Sequence, residues 1–329
     1  MNRVIVIGAS AGGVPALIAL AKGLPPDLPA AVLVVLHVGA HPSVLPDLMS
    51  ANAALTARHA EHHEPVRAGQ ILVAPPDHHL LVIGQRTHLT RGPKEHFSRP
   101  AIDPLFRSAA LDFGARTVGV VLTGMLDDGT VGLQAIKARG GTAVVQDPDE
   151  ARERSMPDSA LAYVDVDHCV RLADMPALFA QLAAAPRTTP DRDAPAAMRH
   201  EQALTLGTDH PMNHLPPIAN PSTFACPECH GTLWQVRGAQ PERYRCHTGH
   251  AYTARSLAYH LAMAGEDAGW NALRALQERM MFLQHEAGQR RASGNAAGAA
   301  RLDDDARRLA EHIDTLRRML EDGPSALAA

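Results

Sequence analysis

A serine hydroxyl attacks an acyl carbon usefully only when a neighbouring base takes its proton. Ser10 stands in Gly8-Ala9-Ser10-Ala11-Gly12-Gly13, between the β-branched run Val4-Ile5-Val6-Ile7 and a helix-like stretch from Val14 to Lys22. Small neighbours allow a sharp strand-to-helix turn that holds the hydroxyl clear of a sheet edge. The free N–H groups of the following helix favour a developing oxyanion. The pattern is G-x-S-x-G, which many loops match by chance, and a serine here serves equally well as a helix cap. The dinucleotide fingerprint G-x-G-x-x-G is not satisfied, because Ser10 stands where its second glycine belongs.

Two other segments supply what Ser10 lacks. His37 closes the apolar run Val34-Val35-Leu36, and Asp128 follows another such run in Leu122-Thr123-Gly124-Met125-Leu126-Asp127-Asp128-Gly129. The chain has 19 histidines, so one histidine alone carries little weight, and an aspartate before glycine is a common turn residue. Together the three residue types give a nucleophile (Ser10), a base (His37) and a group that orients the imidazole (Asp128). Their chain order is Ser, His, Asp, whereas α/β-hydrolases run Ser, Asp, His. This chemistry requires no cofactor.

A second cluster has metal-ligand spacing. Cys226-Pro227-Glu228-Cys229 is followed by Cys246-His247-Thr248-Gly249-His250. Three thiolates and one imidazole suit a tetrahedral structural Zn2+. Cys226, Cys229 and Cys246 are the firmer ligands, and His250 is the preferred fourth. His247 follows Cys246 too directly to reach back, and His230 is a remote alternative. Reduced, unliganded thiols are the competing reading. Cys169 stands alone and reads as a small core residue.

The elements that must position these groups follow from patterning. Val4–Ile7, Ala31–Leu36, Val118–Leu122 and Thr142–Val145 are continuous apolar runs, expected of strands buried on both faces, and they alternate with helical stretches such as 103–113 and 132–138. This predicts an α/β fold: a doubly wound, mostly parallel sheet in three layers. Ile71–Ala74 and Leu80–Ile83, around Pro75-Pro76-Asp77, read as a hairpin-like insertion. In such sheets the carboxyl ends of strands flanking a switch point share one crevice.

Composition divides the chain into residues 1–185, a linker over 186–223 rich in Pro, Ala, Thr, Asp and His, a zinc-ribbon-like module over 224–253, and a helical hairpin over 254–329. Leu302, Ala306, Leu309, Ile313, Leu316 and Leu320 form an a/d seam facing Leu273, Leu276, Met280, Leu283 and Ala287, with the turn expected within 288–300. The formal net charge of −4 and pI near 6.5 argue against nucleic acid as a partner, although Arg237, Arg243 and Arg245 lie in the module. No apolar run is long enough to span a bilayer. Cysteines in metal spacing and no cleavable leader predict a cytoplasmic protein without membrane insertion.

Four segments resemble the catalytic domain of CheB-type protein-glutamate methylesterases, in the family's order and across residues 3 to about 182. They are Val6 to Gly13, the strand ending in His37, Ser98-Arg99-Pro100-Ala101-Ile102-Asp103, and Leu122 to Met125 with Asp127-Asp128-Gly129. The resemblance places the family's catalytic serine, histidine and aspartate on Ser10, His37 and Asp128. It gives Asp127 no role. It implies hydrolysis of glutamate methyl esters on the cytoplasmic domain of methylated chemoreceptors, alongside other chemotaxis signalling proteins, and leaves receptor glutamine deamidation open. Three features depart from the pattern. The first strand starts too early to leave room for an N-terminal receiver domain, Ala11 replaces a common hydroxyl residue, and Val38-Gly39 replace Met-Pro. A signalling adaptor that uses the hydrolase fold and zinc module only for binding is the alternative reading.

Overall fold

The computed structural model describes residues 3–51, 53–186 and 190–322. Strand β1 (Arg3–Ala9) lies at the centre of a seven-stranded sheet. On one side it pairs with β2 (Ala30–Leu36), then β4 (Ile71–Val73) and β3 (Ala57–His59). On the other lie β7 (Thr117–Val121), β8 (Thr142–Gln146) and β9 (His168–Val170). Every pairing in this sheet is parallel. The connections run outward in opposite directions from β1 and β7, so a switch point falls between these two strands.

The period-two alternation of β1 divides the core. Ile5, Ile7 and Ala9 face one layer with Leu17 and Leu20 of α1 (Gly13–Gly23) and Phe179 of α6 (Met175–Ala184). Val4 and Val6 face the other, with Ile102 and Phe106 of α3 (Ile102–Phe113), Leu133 of α4 (Thr130–Ala138) and Met156 of α5 (Ser155–Tyr163). A short helix, α2 (Leu45–Ser50), adds Leu45 and Met49 to the first layer. Both faces of the central strands are therefore apolar, as a parallel sheet covered by helices requires. This is the expected three-layer α/β arrangement.

Three local expectations differ. The hairpin forms between β5 (His79–Ile83) and β6 (Arg86–Thr90), whereas Ile71–Val73 joins the main sheet beside β2. Short apolar runs do not reveal their partners, and here Leu72 and Ala74 find buried space in the sheet layer. Cys169 is exposed, because β9 is an edge strand. The segment expected as a linker carries α7 (Ala196–Leu206), α8 (Leu215–Ile218) and most of β10 (Ala219–Ala225). A few anchors fix it: Met198, Leu204, Leu215 and Ile218 are buried, as are Glu201 and Thr205. An average over a window dilutes so few apolar residues.

Strands β10, β11 (Thr232–Val236), β12 (Arg243–Cys246) and β13 (Ala251–Thr253) form an antiparallel sheet. It belongs to the same compact unit as the hydrolase layers, which spans Met1–Leu257. A buried ion network joins them. Arg245 of β12 bonds Glu95 at 3.0 Å and Glu201 at 3.2 Å, Arg107 of α3 bonds Glu95 at 2.7 Å, and Arg243 bonds Glu201 at 2.8 Å. The Thr205 hydroxyl donates to Glu95 at 2.6 Å. Arg237 is also engaged internally, with the carbonyls of Pro216 and Ala219.

The second unit is Ala258–Ala329, and it comprises most of α9 (Ala254–Ala292) and α10 (Ala296–Glu321). Leu273, Leu309 and Ile313 form its buried seam, flanked by Leu276, Met280, Leu283, Leu316 and Leu320. The helices run further into the expected turn region than Gly288 and Gly298 suggest. The reversal occupies only Ser293 to Asn295, where the Asn295 side chain caps α10 by accepting the Gly298 N–H at 2.9 Å. No helix among the described residues is long and apolar enough to cross a membrane.

Candidate active site and metal cluster

Ser10, His37 and Asp128 come together at the carboxyl ends of β1, β2 and β7. The turn after β1 is pinned by the Ser10 N–H to the Thr123 carbonyl at 3.0 Å and the Gly13 N–H to the Ser10 carbonyl at 2.8 Å. Gly12 adopts φ +79° at the start of α1, a region that favours glycine. Gly124 is required for a different reason. A Cβ there would lie 2.9 Å from that of Ser10 and 2.0 Å from the sulfur of Met156.

The Ser10 hydroxyl lies 3.1 Å from Nδ1 of His37, and Nε2 of His37 lies 2.8 Å from Oδ2 of Asp128. A carboxylate only accepts, so Nε2 carries the ring proton and Nδ1 presents its lone pair to the hydroxyl. The ring nitrogens thus exchange the roles they have in the Ser-His-Asp protease template, where Nε2 faces the serine.

Asp128 is almost fully buried and richly bonded. Its Oδ2 accepts the Ile102 N–H at 2.7 Å, and Oδ1 accepts those of Asp103 at 3.0 Å and Gly129 at 2.8 Å. Two of these donors are the first free N–H groups of α3, where the helix dipole favours a negative charge. That explains the Arg99-Pro100-Ala101-Ile102-Asp103 segment: it delivers a helix N-terminus to Asp128. Arg99 anchors the segment through Asp77 (2.6 Å) and the Gly92 carbonyl (2.8 Å). Burial works against the charge on Asp128, but His96, His37 and the Ile102 N–H hold its carboxyl below the ordinary range.

His96 was not singled out by patterning, nor was any role given to Asp127. Both are buried beside Asp128. Nε2 of His96 lies 3.1 Å from Asp103 Oδ2 and 3.8 Å from Asp128 Oδ1, and Nδ1 lies 4.0 Å from Asp127 Oδ1. Only the place of His96 two residues before the Ser98–Asp103 segment could have hinted at this cluster.

In the antiparallel sheet, Cys226, Cys229, Cys246 and His250 converge, with ligand atoms within 4.8 Å of one another. The Cys229 and Cys246 sulfurs are 3.6 Å apart, and Nδ1 of His250 lies 3.5 Å from Cys246 and 3.7 Å from Cys226. These four residues could hold a metal ion. His247 is outside the group.

The family model for the CheB methylesterase matches residues 5–179. The chain belongs to the CheB methylesterase family. The CheB match spans both sides of the switch point and ends before α7. A protein-glutamate methylesterase/protein-glutamine glutaminase 2 of Anaeromyxobacter dehalogenans is 38% identical over 181 residues, 55% of this chain and 53% of that protein. This chain therefore spans about half the length of that curated relative. A putative protein-glutamate methylesterase/protein-glutamine glutaminase of Leptospira interrogans is 38% identical over 184 residues, 54% of this chain and 93% of that protein. The crystal structure of the Thermotoga maritima CheB methylesterase catalytic domain superimposes with a TM-score of 0.53 at 30% identity, covering 55% of this chain and 99% of that one. The CheB fold thus accounts for the first half of this chain, and the cysteine cluster lies outside the matched region.

Proposed function

We propose that this chain is a protein-glutamate methylesterase with Ser10 as nucleophile, His37 as general base and Asp128 as orienting carboxylate. The observation that carries the reading is the continuous hydrogen-bonded path from Ser10 Oγ through both nitrogens of His37 to Asp128. The substrate is a glutamate methyl ester on the cytoplasmic domain of a chemoreceptor, and the enzyme acts in the cytoplasm. Nδ1 of His37 takes the hydroxyl proton as Oγ attacks the ester carbonyl. The tetrahedral intermediate collapses as the imidazolium returns that proton to the departing methanol. Water, deprotonated by the same nitrogen, then attacks the acyl-serine, and collapse releases glutamate and restores the Ser10 hydroxyl. Backbone N–H groups at Ala11 and Met125 are the proposed oxyanion donors. The same path with ammonia as leaving group gives glutamine deamidation.

The Cys226, Cys229, Cys246 and His250 cluster fits a structural Zn2+. Tetrahedral sites with Zn–S near 2.3 Å need sulfurs about 3.8 Å apart, close to the spacings found. Nε2 of His250 also faces Glu228 at 3.7 Å, which suits the carboxylate–histidine–metal arrangement.

The test is methanol release from methylated receptor cytoplasmic fragments by wild type and by Ser10→Ala. Release by wild type alone is expected. Equal release by both would remove Ser10 from the mechanism, and none from zinc-loaded, folded wild type on any receptor fragment tried would favour the adaptor reading.

A further inference from the structure

On its far side Asp128 is flanked by His96, which is itself contacted by a residue from outside the matched CheB region. His96 lies between three buried carboxylates, Asp103 on α3 and Asp127 and Asp128 before α4. Its other nitrogen, Nδ1, is 3.1 Å from the Ser256 hydroxyl at the start of α9.

Ser256 is held in place by Thr253. Ser256 Oγ accepts the Thr253 N–H at 2.9 Å, while the Ser256 N–H donates to Thr253 Oγ1 at 3.0 Å. This is a reciprocal capping box at the start of α9. The Thr253 carbonyl, 3.2 Å from Ser256 Oγ, is an acceptor for the single hydroxyl proton of Ser256. With the proton placed there, the oxygen is free to accept from Nδ1 of His96 at 3.1 Å. Nε2 faces carboxylate oxygens and carries a proton. A buried imidazole among three carboxylates is favoured as the cation. Burial alone would push its pKa down, but Asp128, Asp103 and Asp127 hold it up at about 9.

The segment bearing His96 is also shaped by β13. His96 and Phe97 adopt φ +52° and +60°, a region that strains a non-glycine residue. The surroundings that impose it include the His96 N–H to the Ala251 carbonyl at 2.8 Å and the Phe97 ring against Tyr252, with centroids 5.5 Å apart.

We propose that His96 is a positioning residue for Asp128, locked in place by Ser256 and β13, so that the hydrolase centre of this chain is complete only with the C-terminal sheet folded against it. The inference rests on the Ser10–His37–Asp128 reading. It adds a cationic group that keeps Asp128 ionised and turned toward His37, and it gives the sheet a part in hydrolysis.

The experiment uses the full chain with His96→Gln, which keeps a donor but loses the charge, and Ser256→Ala, which removes the Nδ1 acceptor. Two rates are followed against pH: methanol release from methylated receptor fragments, and covalent labelling of Ser10 by a fluorophosphonate. Circular dichroism and metal content verify that each variant is folded. The other titratable and charged groups facing this site are Asp103, Asp127 and Asp128, with Arg255 acting on Asp127, His37 on Asp128, and Glu95 and Arg107 on Asp103. Without the cation, Asp128 takes up a proton more readily. For His96→Gln the acid limb of both profiles should therefore move up by about one pH unit or more. The kcat should fall about tenfold with KM little changed. Ser256→Ala should move both in the same direction by less. Unchanged limbs and kcat in folded His96→Gln overturn the proposal. If that variant does not fold, an unchanged limb in Ser256→Ala overturns it. Wild type that labels at Ser10 but releases no methanol would count against the substrate alone, and the labelling profiles still decide the role of His96. Absence of labelling in wild type overturns both readings.

Discussion

Oδ2 of Asp128 stands 2.8 Å from Nε2 of His37. This contact decides which ring nitrogen holds the proton, and so whether Nδ1 can act as a base toward Ser10. Asp128→Asn keeps the shape but can present an amide N–H to Nε2. The ring would then carry its proton on Nδ1 and could no longer accept from the hydroxyl. A loss of kcat of about 10³–10⁴ is expected, with KM little altered. Single-turnover methanol release would measure it, and a loss under tenfold would show that Asp128 does not set the tautomer.

Gly124 leaves no space for a side chain. In Gly124→Ala, the new methyl would press on Ser10 Cβ and on the Met156 sulfur at the distances given above. Met156 can rotate, but Ser10 is fixed by its turn. Overpacking of this kind costs about 1–3 kcal/mol. The expected outcome is a lower unfolding midpoint together with a kcat loss out of proportion to it, because the nucleophile is displaced. Chemical denaturation and steady-state kinetics on the same preparation would separate the two effects.

The cysteine cluster predicts one Zn2+ per chain. Cys226→Ser should abolish tight binding, since the thiolate is buried and its Sγ is also contacted by the Tyr252 hydroxyl at 3.3 Å. Elemental analysis gives the stoichiometry, and thermal unfolding gives the consequence: loss of the ion removes stability by mass-action linkage. A wild-type preparation refolded with zinc that retains none would count against the site.

The readable parts of the site are those in which local sequence and global position coincide. Ser10, His37 and Asp128 each follow an apolar run, and in a parallel sheet the residue after such a run lands at the same edge as its counterparts. The cysteine spacing is likewise local. His96 escaped notice because its partners lie on three separate elements, and Ser256 is 160 residues away. The same holds for Arg245 and Glu95, 150 residues apart. Charged residues in a Pro- and Ala-rich stretch read as solvated surface, so Glu201 gave no sign that it anchors α7. Cys169 differs for the converse reason: a lone cysteine reads as a small core residue, but an edge position exposes the side chain.

Glu201 makes the sharpest prediction for stability. It is buried between Arg243, Arg245 and Arg107, which outweigh the cost of burial and hold its carboxyl down at about 2, against an ordinary value of 4.5. Glu95, in the same network, is also held well below its usual range. A carboxyl whose pKa is lower in the folded state binds fewer protons there than in the unfolded chain. Its contribution is therefore complete above about pH 5 and is lost as pH falls toward 2. For Glu201 alone the difference corresponds to roughly 3 kcal/mol. Glu201→Ala should cost about 3–5 kcal/mol near neutrality, because it leaves buried arginines without their partner. It should also flatten the decline in stability between pH 5 and 3. Denaturation midpoints measured across that range for wild type and variant provide the check. Parallel curves would mean that Glu201 titrates alike in the folded and unfolded chain, and that the network does not hold α7 and the C-terminal sheet to the hydrolase layers.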